Sequence, residues 1–184
     1  MISIAKQTIE YFTKYQKAPR VDELKIDNPS LLESNWSIFV TIYQNWQVRW
    51  SSGNIKEIKL NLVEEIIENT IWAISKDTRF KPLKYTEIND IKVRIDKIAN
   101  RRVLQDKEIL KIDPTKSWVL AIKKDYTTMA LILPNINPIL LNWEDLIPVL
   151  ESKFNIKKFD EKDYILYEIK TEVTDDFETT KNTV

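Results

Sequence analysis

The stretch Leu60–Lys76, LNLVEEIIENTIWAISK, constrains the fold more than any other. At roughly 100° per residue, Leu60, Leu62, Val63, Ile66, Ile67, Ile71, Ala73 and Ile74 fall within one half of a helical wheel. Asn61, Glu64, Glu65, Glu68, Asn69, Ser75 and Lys76 fill the other half. So wide an apolar arc can lie flat on a sheet, and the three glutamates read as a solvated face. Trp72 breaks the pattern, because it stands in the middle of the polar arc. Two expectations follow. Either the N-terminal helix or the connection Lys17–Ser34 covers Trp72 within the chain, or Trp72 is a partner surface, rimmed by Glu64, Glu65 and Glu68 and open to a basic partner or a second copy. The helix must end within Asp77-Thr78-Arg79-Phe80-Lys81-Pro82-Leu83, since Pro82 pushes Lys81 out of the helical region.

The flanking segments supply the sheet. Ile4–Tyr15 is an amphipathic helix with Ile4, Ala5, Thr8, Ile9, Phe12 and Tyr15 on one face. Lys17–Ser34 is an irregular connection punctuated by Pro19 and Pro29. Ser37–Tyr43 is a strand that is apolar on both faces, which predicts a central position. Gln44-Asn45-Trp46 turns the chain, and Gln47–Ser51 returns. Simple alternation places Trp46, Val48 and Trp50 with Phe39, Thr41 and Tyr43, and Arg49 and Ser51 together on the opposite face with Val40 and Ile42. A type I′ turn at Asn45-Trp46 is not expected, because Trp disfavours positive φ. Asp90–Ile98 reads as a half-exposed strand, Asn100-Arg101-Arg102 as a solvated loop, and Ser117–Lys123 with Thr127–Leu133 as a hairpin. A helix opens at Asn142 as N-cap, carries Pro148 inside it, and ends with Asn155 in the left-handed position. Tyr164–Val173 is the last strand, and Thr174–Val184 is a polar, frayed tail. The expected architecture is α+β: a mostly antiparallel sheet flanked by helices, with room for a small subdomain, as one unit over 1–173.

Composition narrows the chemistry. Cysteine and histidine are both 0 among 184 residues. That removes disulfides, zinc and iron–sulfur sites, thiol nucleophiles and every triad with a histidine base. Any metal site would be built of oxygens, and no EF-hand loop is present. A single glycine, Gly53, leaves no phosphate loop. The formal net charge is +0, so no global field recruits nucleic acid or an anionic membrane. No apolar run is long enough to span a bilayer and no signal peptide is seen, so a cytoplasmic location is expected, with no cofactor.

The hairpin and the turn after the helix carry a resemblance. Phe39-Val40-Thr41-Ile42 followed by Tyr43–Gly53 resembles the FVTL hairpin and RGCIG signature of the AMMECR-type domain, grouped as protein A of the AmmeMemoRadiSam system. Asp77-x-Arg79-Phe80-x-Pro82-Leu83 is similar to that family's D-x-R-F-x-P-L turn, and the likeness runs over roughly Ile4–Val173. Where the family carries Arg-Gly-Cys-Ile-Gly, this chain has Arg49, Trp50, Ser51, Ser52 and Gly53. The signature is therefore degenerate, with Ser51 for Cys and the bulky Trp50 for the first Gly. The resemblance implies a cleft near the signature and association with Memo-type or radical SAM proteins.

Arg49, Ser51, Gly53, Asp77 and Arg79 are the candidate binding residues. The planar fork of Arg49 suits a carboxylate or phosphate; otherwise it forms an ion pair with an acid such as Asp77. Arg79 reads as an anchor of its turn. Ser51 as a nucleophile would need a base that the motif does not place; otherwise it is a small polar residue at a packed strand end. Two functions remain: a non-catalytic interaction module with a diverged cleft, or an anion-binding protein or enzyme using Arg49 and Ser51. Trp50 is expected to fill part of the cleft.

Overall fold

The computed structural model of the protein describes residues 1–105, 107–113, 115–132 and 143–177, with the backbone alone at 143–145. Its helices are α1 (Ile2–Tyr15), α2 (Ser30–Glu33), α3 (Leu62–Lys76) and α4 (Trp143–Phe154). Its strands are β1 (Ile38–Gln44), β2 (Gln47–Gly53), β3 (Ile91–Val103), β4 (Trp118–Lys123), β5 (Met129–Ile132) and β6 (Tyr164–Asp175). They form one antiparallel, six-stranded sheet in the order β2-β1-β3-β6-β4-β5, so the expected α+β class is correct. The chain divides into two compact units, Met1–Lys97 with Glu172–Val184, and Ile98–Thr171.

In the first unit, β1 lies between β2 and β3, as its two apolar faces predict. Ile38, Val40 and Ile42 pack with Val93 and Ile95 of β3 against Leu62, Val63, Ile66 and Ile74 of α3. Ile4, Ala5 and Ile9 of α1 join the same core, and α2 also packs on α3. α3 is therefore enclosed by sheet and helices together, and among its residues only Trp72 and Lys76 are exposed. This overturns the reading of its polar arc as a solvated face: Glu65 is 0% and Asn69 2% exposed. Asn61 caps the helix by accepting from the Glu64 amide at 3.0 Å, which leaves Leu60 outside it and 87% exposed. The expected frayed tail is corrected for residues 174–177, and its remainder, 178–184, lies outside the described residues. Asp176 accepts from the Val93 amide at 2.7 Å and pairs with Lys6, and the Phe177 ring meets those of Tyr43 and Trp46 at 5.1 and 5.8 Å.

The second unit is built on β4, which pairs antiparallel with β5 and with β6. Val119, Ala121, Ile132, Leu146, Leu150 and Leu166 form its core with Ile109. Arg101 and Arg102 lie within β3 and not in a loop. Arg102 is fixed there by Glu108 at 2.8 Å and Glu168 at 3.1 Å, since paired charges can stand on a strand where bare ones favour solvent. Pro148 sits inside α4 without ending it, and Asn155 takes φ 53° as expected. The expected Asn142 cap, the Pro134–Pro138 loop and the side-chain placement of Trp143 lie outside the described residues.

Candidate functional site

The signature strand is shaped by its two ends. Asn45 and Trp46 both have positive φ, 52° and 62°, and join Gln44 to Gln47 as a two-residue loop. This is the backbone pattern of a type I′ turn, against expectation. The twist of the paired strands favours that turn, and the cost of the left-handed region, about 1–2 kcal/mol for a residue with a Cβ, is met in part by the contact of Trp46 with Phe177. At the other end Gly53 leaves no room for a side chain. A Cβ there would stand 2.3 Å from the Phe39 ring and 2.6 Å from the Ile38 carbonyl oxygen. Gly53 thus serves close packing of backbone on ring, and its φ lies outside the left-handed region.

Between these ends the register shifts. Tyr43 pairs with Val48 but Ile42 with Trp50, so Arg49 is an extra residue on β2. Such a β-bulge turns the following side chains to the opposite face. Trp50 therefore shares a face with Ile42 and Val40, while Ser51 and Gly53 lie opposite Thr41 and Phe39. The alternation read from sequence is wrong by one residue from here on, and Arg49 and Ser51 do not work on the same face. The physical reason is the indole. Trp50 is 1% exposed within the core, and its Nε1–H donates to the Lys81 carbonyl at 2.9 Å. Burying it gains about 3 kcal/mol, far more than one irregular ladder position costs.

Ser51 sits with its hydroxyl 3.3 Å from that of Thr41, which is 1% exposed. Its amide donates to Asp77 Oδ2 at 3.1 Å. Asp77 follows α3 and ties β2 to the turn. It accepts from Arg79 Nε at 2.8 Å, Nη2 at 2.6 Å and the Arg79 amide at 3.2 Å. Burial pushes the Asp77 carboxyl up, but the bonds from Arg79 and from the Ser51 and Arg79 amides outweigh it and hold the group below the usual carboxylate range. Arg79 is thus the anchor of its turn, as expected. The alternative pairing, Arg49 with Asp77, does not form.

Arg49 is left differently. Its guanidinium carbon lies 4.8 Å from the Trp50 ring centroid and 5.3 Å from that of Phe80, and its Nε is buried without a hydrogen-bond partner. Arg79 approaches the same Phe80 ring at 5.6 Å. The Phe80 ring thus carries both Arg49 and Arg79, of which Arg79 is paired with Asp77. Among the described residues no group of three or more potential ligands is placed to bind a metal ion.

Residues that the sequence reading passed over surround the same strand. Glu65 accepts from the Ile58 amide and, at 2.9 Å, the Lys59 amide, while its other oxygen accepts from Asn69 Nδ2 at 3.1 Å. Asn69 Oδ1 in turn accepts from Ser52 Oγ at 3.2 Å and Asn54 Nδ2 at 3.4 Å. The network binds the end of β2 and the following loop to α3. The spacing of Glu65 and Asn69, four residues apart, was its one visible sign.

The AMMECR1 family description matches residues 2–173. A Thermotoga maritima protein is 28% identical over 158 residues, which is 85% of this chain and 87% of the relative. A Methanosarcina mazei protein is 29% identical over 144 residues, 74% of this chain and 69% of the relative. The crystal structure of uncharacterised protein PH0010 from Pyrococcus horikoshii has the same fold, with a TM-score of 0.80 at 21% identity over 95% of this chain and 89% of that one. With a match that runs over residues 2–173, the chain belongs to the AMMECR1 family.

Proposed function

We propose that this chain is a non-catalytic interaction module in which the signature cleft has become part of the core. The observation that carries the reading is Trp50, which stands where the resemblance places a glycine and is buried among Ile42, Phe80 and the Lys81 carbonyl. An indole there occupies volume that a ligand would otherwise take. Ser51, at the position of the signature cysteine, meets the Thr41 hydroxyl and no base. An unactivated hydroxyl is a weak nucleophile, so acyl or phosphoryl transfer through Ser51 has no driving group.

Docking falls to α3. Trp72 is 55% exposed, so neither α1 nor the Lys17–Ser34 connection covers it, and the intramolecular expectation is corrected. The acidic rim is smaller than its sequence suggests: Glu65 is buried and Glu68 pairs with Lys59 at 2.6 Å. A nearly charge-balanced surface centred on an exposed indole suits a second copy of this chain better than a strongly basic partner. Memo-type or radical SAM proteins are the heterologous partners that the family resemblance suggests, in a cytoplasmic setting. Sedimentation velocity on wild type and Trp72→Ala tests the surface. The substitution should leave stability within about 0.5 kcal/mol, as exposed positions do, and abolish self-association. A wild type that stays monomeric, or a variant that associates equally well, refutes this docking surface.

A further inference from the structure

We propose that Arg49 is the recognition group of a carboxylate-binding site formed by β2 and the Asp77–Leu83 turn, a site independent of the surface at Trp72. The bulge places the Arg49 guanidinium against Trp50 and within 5.3 Å of the Phe80 centroid. The aromatic contacts supply no hydrogen-bond acceptor, and Nε is buried with none. The nearest acid by position, Asp77, is already committed to Arg79 and to the Ser51 amide, and its side chain is 6% exposed. No ion pair or hydrogen bond to the Arg49 side chain exists among the described residues, whereas Arg20, Arg79, Arg94 and Arg102 each have a carboxylate partner. A half-buried cation without a counterion is costly, and the cation–π contacts offset only part of that cost.

Geometry defines the ligand class. Asp77 is matched by Arg79, which leaves Arg49 as the cation at the two rings that has no carboxylate of its own. With its carbon over the Trp50 ring and no acceptor at its side chain, the guanidinium has its terminal N–H groups left for a ligand. Two terminal N–H groups on one plane match the two oxygens of a carboxylate, whether it comes from an acidic side chain or a chain terminus. Ser51, which the sequence reading joined to Arg49, has no part in the site because the bulge turns it away.

The test titrates acetate into the protein labelled with nitrogen-15 and follows the arginine Nε–Hε signals, at constant ionic strength with chloride as the balancing anion. The account expects a saturable shift of the Arg49 signal with the Trp50 indole signal moving in parallel. It expects the Trp50 response to be lost in both Arg49→Met and Arg49→Lys, the second of which keeps the charge but not the plane. It also expects acetate to raise the melting temperature relative to chloride in wild type and not in Arg49→Met. No saturable shift, or an acetate effect that survives in Arg49→Met, overturns the site. A larger response to inorganic phosphate than to acetate overturns the carboxylate assignment. Should Arg49→Met fail to fold, Arg49→Lys carries the comparison alone.

Discussion

Replacing Trp50 by glycine, the residue that the resemblance places there, should nearly unfold the protein. The indole is 1% exposed and fills core beside Ile42 and Phe80. Truncating a buried tryptophan costs about 3–5 kcal/mol. Glycine in a strand adds about 0.5–1 kcal/mol of backbone entropy. Losing the Nε1–H donor leaves the Lys81 carbonyl without this partner, at about 1 kcal/mol or more if water cannot reach it. The sum, about 5–7 kcal/mol, is comparable with the whole stability of many domains. At about 2–4 °C per kcal/mol for a chain of this size, the melting temperature falls by about 10–28 °C. Urea unfolding and thermal melts by circular dichroism read this directly. A loss below about 2 kcal/mol would refute the assignment of Trp50 to the core, because an indole in an open cleft is cheap to remove.

Asp77 makes a pH-dependent contribution. Its folded pKa lies below the ordinary 3.8, so its stabilisation is present above that value and is lost as pH falls through the folded pKa. Asp77→Asn should therefore be less stable than wild type at neutral pH, with the gap closing under acid; urea midpoints from pH 7 down to pH 2 measure it, and a constant gap contradicts the role. Glu65→Ala strands the Ile58 and Lys59 amides, while Asn69 Nδ2 keeps its bond to the backbone carbonyl of residue 65, and should cost about 2 kcal/mol or more; Glu65→Gln should cost less because one oxygen still accepts from the loop. Equal denaturation midpoints for the alanine variant and wild type would show the network to be dispensable.

The one-sided helices and the central strand were legible because their patterns are local. The amphipathic half-wheel of α3 and the doubly apolar Ile38–Tyr43 each have a single way to bury themselves. The bulge at Arg49 was not legible, because alternation says which residues share a face only until an insertion occurs. That insertion exists because the Trp50 indole gains more inside the core than a regular ladder gains from one position. Glu65 escaped for a related reason. A wheel assigns polar residues to solvent, but α3 is enclosed by β1, β2, α1 and α2, so a carboxylate on its polar arc must find donors inside. It finds them in the loop before the helix. Trp72 was recognised as anomalous, yet its exposure depends on where α1 and the connection pass, which local pattern does not encode. The positive φ of Trp46 follows from strand twist and from Phe177, far away in sequence.

The central claim is that Trp50 closes the signature cleft. Hydrogen exchange at its indole Nε1–H, followed by NMR, tests this most directly. The hydrogen is bonded to the Lys81 carbonyl inside the core, so it should exchange only through global opening, orders of magnitude more slowly than the exposed indoles of Trp46 and Trp72. An exchange rate for Trp50 matching those of Trp46 and Trp72 would mean that the cleft is open and the account wrong.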